Sequence, residues 1–319
     1  MEIYCAPLEG VTGSLYRRAH AALFSGVDVY YIPFLTPREG TLFDRHDLRE
    51  ADPEENRGIP TIPQLLTNRA DAFLAGAERL ADLGYREVNL NLGCPARTVV
   101  SKGKGAGLLG RPEELERLLD GIFAHTPLPV SVKTRLGVAE ESKFPALLDL
   151  FRRYPLARLI VHARLLTDGY TGPIRRESFR LAAEDAPWPV CYNGDLFTAE
   201  DLRAFQANFP AVQSVMLGRG LVCNPALARM MRGGNGLTRE ELAAFHARLY
   251  ANARARLSGD RHVLCWMKEL WHYLGCLFPD AQRERKAIRK AQRAAEYEAA
   301  VCHLLAAGEL RTEPGYRRG

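Results

Sequence analysis

The sequence predicts an α/β fold, namely a (β/α)8 TIM barrel followed by a small all-α C-terminal domain. Eight short β-like runs occur in residues 1–234, and each is followed by a segment with helical spacing. Polar residues stand at the C-terminal ends of nearly all eight runs. A doubly wound sheet would instead concentrate a glycine signature after its first strand, and Ala6-Pro-Leu-Glu-Gly10 is not one. The closed barrel is therefore favoured.

The predicted strands alternate with the predicted helices along the chain. The strands are expected at residues 3–6, 27–32, 61–65, 87–92, 130–134, 159–162, 190–192 and 214–217. The helices are expected at residues 15–24, 70–83, 113–124, 144–153, 177–183, 199–209 and 225–231. Asp71, Pro112 and Thr198 are residue types that begin helices.

The C-terminal quarter has a different pattern. Gly233-Gly-Asn-Gly236 interrupts the alternation and predicts a boundary between a catalytic domain of residues 1–234 and a helical domain of residues 235–319. Thr238-Arg-Glu-Glu241 then predicts a capping box at the start of a helix. Helical periodicity continues from there without a strand signal, which predicts three or more helices.

Composition and cysteine usage narrow the class of protein. Hydrophobic residues make up 47% of the chain and charged residues 25%, as in soluble globular proteins. No apolar run approaches the roughly 18 residues that cross a bilayer, and the N-terminus resembles no signal peptide, so we expect a cytoplasmic protein that does not bind membranes. The seven cysteines are scattered without a Cys-x-x-Cys pair, which argues against a disulfide framework and against a cysteine-based zinc site, and we expect no metal.

The positive charge of the chain is concentrated near its end. Residues 1–234 hold 28 basic and 28 acidic side chains, whereas residues 235–319 hold 15 and 10. The run from Arg283 to Arg293 contains six basic residues and one acid. Its one-sided cations, together with Lys268, indicate a polyanionic partner, although a solvated helix face is the ordinary alternative. These cations are Lys268, Lys286, Arg289, Lys290 and Arg293. No obligate protein partner is evident.

The most informative stretch is Asn89-Leu-Asn-Leu-Gly-Cys-Pro-Ala96, followed by the glycine-rich run 102–109. The alternation predicts a strand that ends in an amide, a glycine turn and a thiol, and Pro95 stops the strand. A buried structural cysteine is the alternative for Cys94 taken alone.

Seven other strand ends are expected at the same mouth of the barrel. They carry Pro7-Leu8-Glu9, Pro33, Gln64, Lys133 with Arg135, His162 with Arg164, Asn193-Gly-Asp195, and Gly218-Arg219. The glycine turns after the last two strands are typical of phosphate sites. Lys133 could form a Schiff base or place a charge against an anionic ring, and His162 could act as acid or base, contact a ligand or be structural.

These residues resemble the tRNA-dihydrouridine synthases. The matching motifs run in order from residue 6 to about residue 220: Ala6-Pro-Leu-Glu-Gly-Val-Thr12, Gln64, the Cys94 stretch, Gly103-Lys-Gly-Ala-Gly-Leu-Leu109, Val132-Lys-Thr-Arg-Leu-Gly137, His162-Ala-Arg164, Tyr170-Thr-Gly172, Asn193-Gly-Asp195 and Leu217-Gly-Arg-Gly220. Ile174-Arg-Arg-Glu-Ser178 departs from the usual acidic-Trp pair, which leaves the subfamily open.

The resemblance implies an enzyme with tightly bound FMN that is reduced by NADPH and then reduces the C5–C6 bond of a uridine in tRNA. Cys94 would give the proton to C5 as general acid. FMN would be bound by Pro7, Leu8, Glu9, Gln64, Lys133, His162, Asn193, Gly194, Asp195, Gly218 and Arg219. The uridine would be held by Asn91, Arg135 and Arg164, and the tRNA backbone by the tail cations.

Two other functions are compatible with parts of the sequence. One is an FMN-dependent barrel oxidoreductase that acts on a free pyrimidine or another small molecule. The other is a barrel that binds RNA without catalysis. The basic tail argues against the first, and the intact set of Cys94, Lys133 and the phosphate loops argues against the second.

Overall fold

A computed structural model of the protein describes residues 1–313. In it, eight parallel strands close into a barrel in chain order. The strands are β1 Glu2–Cys5, β2 Val29–Leu35, β3 Thr61–Leu65, β4 Val88–Leu92, β5 Val130–Arg135, β6 Arg158–His162, β7 Val190–Asn193 and β8 Ser214–Leu217. The predicted barrel is confirmed, and the doubly wound alternative is wrong. The predicted bounds of β3 and β8 agree to the residue.

Helices follow the strands, as the spacing predicts. In the described chain they are α1 Ser14–Leu23, α2 Arg45–Glu50, α3 Ala70–Asp82, α4 Arg97–Val100, α5 Pro112–His125, α6 Phe144–Arg152, α7 Arg176–Asp185, α8 Ala199–Asn208, α9 Arg219–Cys223, α10 Leu227–Met231, α11 Arg239–Arg256, α12 Gly259–Leu274, α13 Gln282–Lys290 and α14 Ala294–Ala307. The short helices α2, α4 and α9 were not predicted, because fewer than two helical turns leave little periodicity.

Strand β2 runs further than predicted and contains Pro33. Its pairing with β3 shifts register between Ile32 and Leu35. A proline has no N–H to donate to the ladder, so it is tolerated at such an irregularity.

Strand register places the polar side chains of neighbouring strands in rows. Gln64 lies opposite Asn89, which lies opposite Ser131, and Asn91 lies opposite Lys133 in the next row. Alternate residues of a strand share one face, so Asn89 and Asn91 point to the same side. A separate apolar cluster in the barrel consists of Tyr4, Ala6, Tyr31, Ile160, Cys191 and Met216.

The chain packs as two compact units. The first comprises Met1–Pro7, Asp28–Gly194 and Gln206–Met216, and the second comprises Leu8–Val27, Asp195–Phe205 and Leu217–Gly319, of which residues 314–319 lie outside the described chain. The predicted functional division at residue 234 is a separate matter and stays a prediction.

Within the second unit, the C-terminal helices pack with the first helix of the chain. Helix α1 contacts α11, and the Trp266 Nε1–H donates to the Gly10 carbonyl at 3.0 Å. The predicted capping box begins α11: Thr238 Oγ1 accepts from the Glu241 N–H at 3.2 Å, and Glu241 Oε2 accepts from the Thr238 N–H at 3.0 Å. Among the described residues, no helix is long and apolar enough to cross a membrane.

Candidate active site

The turn that carries Cys94 is fixed by Asn91. Asn91 Oδ1 accepts hydrogen bonds from the backbone N–H of Gly93 at 3.0 Å and of Cys94 at 2.8 Å. The chain later returns to this point, because the Ala106 N–H donates to the Cys94 carbonyl at 3.1 Å. Cys94 itself is half-buried. Its position at the end of β4 is therefore held from both sides of the loop.

Four buried polar side chains form a chain of hydrogen bonds across β3, β4 and β5. Asn91 Nδ2 donates to Gln64 Oε1 at 2.7 Å, and Gln64 Nε2 donates to Asn89 Oδ1 at 2.7 Å. Asn89 Nδ2 then donates to Ser131 Oγ at 2.9 Å. All four residues are buried, three of them with no exposed surface at all. We call this set, Asn91, Gln64, Asn89 and Ser131, the amide chain.

The direction of the amide chain is dictated by the backbone. An N–H can only donate, so the atom of Asn91 that faces Gly93 and Cys94 must be its oxygen. The Asn91 amide nitrogen must then face Gln64 and requires the oxygen there, and the same requirement passes on to Asn89. Ser131 ends the chain without conflict, because a hydroxyl can donate or accept.

A chemical consequence follows for Asn91. Its oxygen already accepts two backbone hydrogen bonds, whereas one hydrogen of its amide nitrogen makes no hydrogen bond to a described residue. Asn91 can therefore offer an additional N–H to a ligand. That donor suits a carbonyl oxygen.

Lys133 lies beside Asn91 in the strand register. Its Nζ donates to Asn193 Oδ1 at 2.9 Å, and Asn193 Nδ2 donates to the Met216 carbonyl at 2.8 Å. Burial lowers the pKa of Lys133 to about 8, and the charge of Arg135 adds to the effect. The ammonium is therefore desolvated but still mainly protonated at neutral pH, and an anion beside it would be stabilised.

Arg135 is buried and joins two loops. Its Nε donates to the Gly93 carbonyl at 2.9 Å, and its Nη1 donates to the carbonyls of Leu165 and Gly169, both at 2.8 Å. The guanidinium thus links the Cys94 turn to the loop after β6. Its predicted contact with the substrate stays a prediction.

The loop after β6 places an aromatic ring over His162. The Tyr170 ring stacks on the imidazole with centroids 6.2 Å apart, and the Arg135 guanidinium carbon lies 5.3 Å from the Tyr170 ring centroid. Arg164 lies against the same histidine, with Nη1 3.3 Å from Nε2, and its Nε donates to the Gly172 carbonyl at 2.7 Å. Tyr170 is 45% exposed, which is unusual for a large ring so firmly positioned.

Further predicted cofactor residues lie in the second unit. Arg219 Nη2 donates to Asp195 Oδ1 at 2.6 Å, so these two predicted residues are paired. A side chain at Gly220 would bring its Cβ to 2.3 Å from the Leu196 carbonyl oxygen, which explains the second glycine of the Gly218-Arg-Gly220 motif. The Leu8 N–H donates to Thr12 Oγ1 at 2.7 Å.

The predicted tail cations separate into two groups. Lys286 and Arg289 line a cavity of about 770 Å³ between α12 and α13, together with Lys268, His272, Arg283 and Arg285. Lys268 also donates to the Ala291 carbonyl at the end of α13. Arg293 instead forms an ion pair with Glu296, with Nε 2.7 Å from Oε1.

Contacts in the first unit bring most predicted residues of its strand ends together. Gln64, Asn91 and the Cys94 turn belong to one network, and Lys133 with Asn193 to a second. Register links the rest, because His162 lies opposite both Arg135 and Asn193.

Asn89 and Ser131 were missed as members of this site. The signal was available for Asn89, because it shares a face with Asn91. Ser131 could not be recognised in the same way, since its partner lies on another strand.

Comparisons with known proteins point to one family over most of the chain. The family model described as "Dihydrouridine synthase (Dus)" matches residues 4–306. A tRNA-dihydrouridine(16) synthase of Ralstonia nicotianae is 30% identical over 317 residues, covering 94% of this chain and 95% of that protein. A protein of the same name from Cupriavidus necator is 32% identical over 252 residues and covers 76% of each chain.

Solved structures agree on the fold. The old yellow enzyme of Trypanosoma cruzi has a TM-score of 0.54 at 11% identity, covering 79% of this chain and 93% of that chain. A variant of NCR from Zymomonas mobilis has a TM-score of 0.52 at 17% identity, covering 76% and 90%. The family match across nearly the whole chain, together with the relatives of similar length, shows that this protein belongs to the dihydrouridine synthase family.

Proposed function

We propose that this protein is a tRNA-dihydrouridine synthase that reduces the C5–C6 bond of uridine 16 in tRNA, using FMN and NADPH. The observation that carries the proposal is the family match over residues 4–306, which includes the Cys94 turn. Position 16 is inferred from the name shared by the relatives from Ralstonia nicotianae and Cupriavidus necator.

The donors of the first unit fit the flavin. An isoalloxazine ring presents carbonyl oxygens and ring nitrogens, and it carries negative charge when reduced. Lys133 supplies a half-buried ammonium, and Gln64 keeps a second amide hydrogen beyond the one it gives to Asn89. We assign Lys133, Gln64, His162 and Asn193 to the ring, with Pro7, Leu8 and Glu9 beside it. The phosphate is assigned to Gly194, Asp195, Gly218 and Arg219.

The chemistry that bound FMN would supply, after reduction by NADPH, is a hydride for uracil C6. The protein has to provide the proton for C5, where negative charge develops. Cys94 is assigned this role because its turn is held rigidly by Asn91 and by the returning Ala106. A rigid turn keeps a donor at a constant distance from its acceptor.

Recognition of the uracil is assigned to the groups around Cys94. The additional N–H of Asn91 suits a uracil carbonyl. The exposed Tyr170 ring offers a face for contact, and Arg135 lies against that ring while Arg164 lies against His162. The base reaches these groups only if the nucleotide leaves the folded tRNA.

Docking of the tRNA body is assigned to the cations of the tail. Lys268, Lys286 and Arg289 line the cavity between α12 and α13. Arg283 and Arg285 line the same cavity and strengthen the assignment. Five cations around one cavity suit a phosphate backbone. Lys290 and Arg293 are assigned a weaker role, since Arg293 is paired with Glu296.

The function is tested by incubating the purified protein with FMN, NADPH and an unmodified tRNA transcript. Dihydrouridine at position 16 is the expected product, detected by mass spectrometry of nuclease fragments. Cys94→Ala is expected to lower the rate by at least about 100-fold, because general acid catalysis contributes roughly 10² to 10⁴. FMN absorbance should stay unchanged in this variant.

Cys302→Ala is the matched control, since this cysteine is exposed and lies on α14. Unchanged activity in Cys94→Ala would refute the acid role. Absence of dihydrouridine with the wild-type protein would refute the function itself.

A further inference from the structure

Two lysines on the loop after Cys94 have no charge partner among residues 1–313. Lys102 is exposed and Lys104 is half-buried. Neither makes a side-chain hydrogen bond or an ion pair with a residue in the described part of the chain. Gly103 lies between them with a φ of 64°, a left-handed conformation that favours glycine. The loop thus presents two uncompensated cations two residues apart.

Other cations are brought to the same place by contacts between loops. Asn68 Nδ2 donates to the Lys102 carbonyl at 3.2 Å, which ties this loop to the segment that precedes α3. Its neighbour Arg69 pairs with Glu39, with Nη1 3.2 Å from Oε1, which ties in the loop after β2. Arg38 is the residue before Glu39. Four cations from three loops therefore meet: Arg38, Arg69, Lys102 and Lys104.

The two arginines of this cluster form ion pairs with carboxylates of the described chain, whereas the two lysines do not. Arg38 pairs with Asp44 at 2.8 Å, and Arg69 pairs with Asp71 as well as Glu39. Burial lowers the pKa of Lys104, and the charges of Lys102, Arg38 and Arg69 lower it further. The uncompensated charge therefore belongs to the two lysines, and an anion placed between them would relieve the repulsion.

The cluster is adjacent to the candidate catalytic turn. Gly105, the next residue after Lys104, packs so closely on Cys94 that a Cβ there would lie 2.8 Å from the Cys94 carbonyl oxygen. The backbone that carries the two lysines is therefore anchored beside Cys94. In an RNA strand, each base is flanked by a phosphate on either side, so a base that reaches Cys94 brings phosphates to this loop.

We propose that Lys102 and Lys104 form a phosphate clamp that binds the RNA backbone next to the nucleotide presented to Cys94. The clamp rests on the proposed function and adds a docking site on the catalytic loop to that on the tail. It holds the strand by charge and carries no base specificity. Its effect is on tRNA binding, since neither lysine has a role in the proton transfer.

The test uses the FMN-loaded protein and an unmodified tRNA transcript without NADPH. The double variant Lys102→Ala/Lys104→Ala is expected to raise the Kd for tRNA about tenfold at low salt. The slope of log Kd against log salt should fall by about 2, because roughly one unit is lost for each phosphate contact. Restoring charge with Lys102→Arg/Lys104→Arg should recover most of the affinity.

Lys143→Ala is the matched control, because Lys143 is exposed and pairs with Glu140 at 2.7 Å. If the double variant is unstable, Lys102→Ala alone suffices, since this residue is exposed, and about half of the effect is expected. Stopped-flow reduction of FMN by NADPH should be unchanged in every variant.

Wild-type affinity and salt slope in the double variant would overturn the clamp. A slower or weaker reaction with NADPH, without a change in tRNA binding, would also overturn it and assign the lysines to the dinucleotide. Both outcomes differ from failure of the proposed function, in which the wild-type protein forms no dihydrouridine.

Discussion

At the residue scale, Asn91 determines how the candidate site is arranged. Its oxygen is committed to two backbone N–H groups, so its nitrogen must face Gln64. The alternation of side chains along β4 predicts that Asn89 and Asn91 share a face, and their hydrogen bonds to Gln64 agree with this. The direction of the amides was not predictable, because it follows from Gly93 and Cys94 approaching the side chain in three dimensions.

Asn91→Asp is expected to retain the fold but to lose activity. The carboxylate still accepts from the turn, and its second oxygen requires Gln64 to rotate and donate. Asn89 must then rotate too, and the Ser131 hydroxyl can donate at the end of the chain. The N–H for the uracil is lost and replaced by a charge, so kcat/KM should fall about 10- to 100-fold, as expected for a charged hydrogen-bonding site.

Thermal unfolding and dihydrouridine formation measure these two effects separately. Asn235→Asp, at an exposed position, introduces the same charge and should change neither. Normal turnover by Asn91→Asp would show that Asn91 gives no essential hydrogen bond. A collapse of stability would show that the amide chain cannot reverse.

At the scale of elements, the loop between Cys94 and α5 is more ordered than its glycines suggested. Glycine-rich loops are typically flexible, but the structure has the short α4 and a 3-10 helix over Gly105–Gly110 in which four residues are buried. Glycine is needed here for close packing as much as for freedom. Gly105 has a φ of 56° and lies directly against Cys94.

Gly105→Ala is therefore expected to displace the Cys94 turn. The new Cβ would meet the Cys94 carbonyl oxygen at 2.8 Å, and the left-handed backbone costs about 1–2 kcal/mol in addition. We expect activity to fall at least about tenfold, since small misplacement of a reacting group is costly. Initial rates and urea unfolding provide the measurements.

The matched control is Gly84→Ala. Gly84 also has a left-handed backbone, with a φ of 90°, but nothing lies within 4 Å of a Cβ there. This variant should lose a similar amount of stability through backbone strain and keep its activity. Equal activities in the two variants would contradict a role of Gly105 in placing Cys94.

At the scale of the whole molecule, the two compact units interleave along the chain. Residues 8–27 belong to the same unit as the C-terminal helices. Two histidines are buried in that unit: His20, whose Nε2 lies 2.8 Å from the Pro225 carbonyl oxygen, and His246, whose Nε2 lies 2.8 Å from the Tyr297 hydroxyl. Burial lowers the pKa of each to about 4.

The stability of the protein should therefore fall in mild acid. As the pH falls, each histidine binds a proton in the unfolded chain, where its pKa is 6.5, before it does so in the folded chain, where its pKa is about 4. The full stabilisation is therefore present above pH 6.5 and is lost progressively as the pH falls towards 4. At pH 5 each histidine should lower the free energy of unfolding by about 2 kcal/mol. Urea unfolding of the wild-type protein at pH 7 and pH 5 measures the sum.

His246→Gln should reduce this dependence by about half, whereas the exposed His125→Gln should leave it unchanged. An identical pH dependence in His246→Gln and the wild type would show that His246 is not buried in its neutral form. Loss of flavin need not accompany the acid effect, so absorbance provides an independent readout.

The sequence by itself determined the fold class, the strands and the polar residues at the strand ends to which chemistry is assigned. This was possible because a period of two, a helical period and turn residues are local properties, and parallel strands in a barrel end at one mouth. The motif around Cys94 identified the family for the same reason, since its residues are adjacent in the chain.

Only the tertiary structure decided how those residues act on one another. The amide chain, the burial that lowers the pKa of Lys133, the link that Arg135 makes between two loops and the meeting of Lys102 and Lys104 with two arginines all depend on contacts between distant segments. Register, burial and the meeting of loops are set by the packing of the whole chain, and no local pattern encodes them.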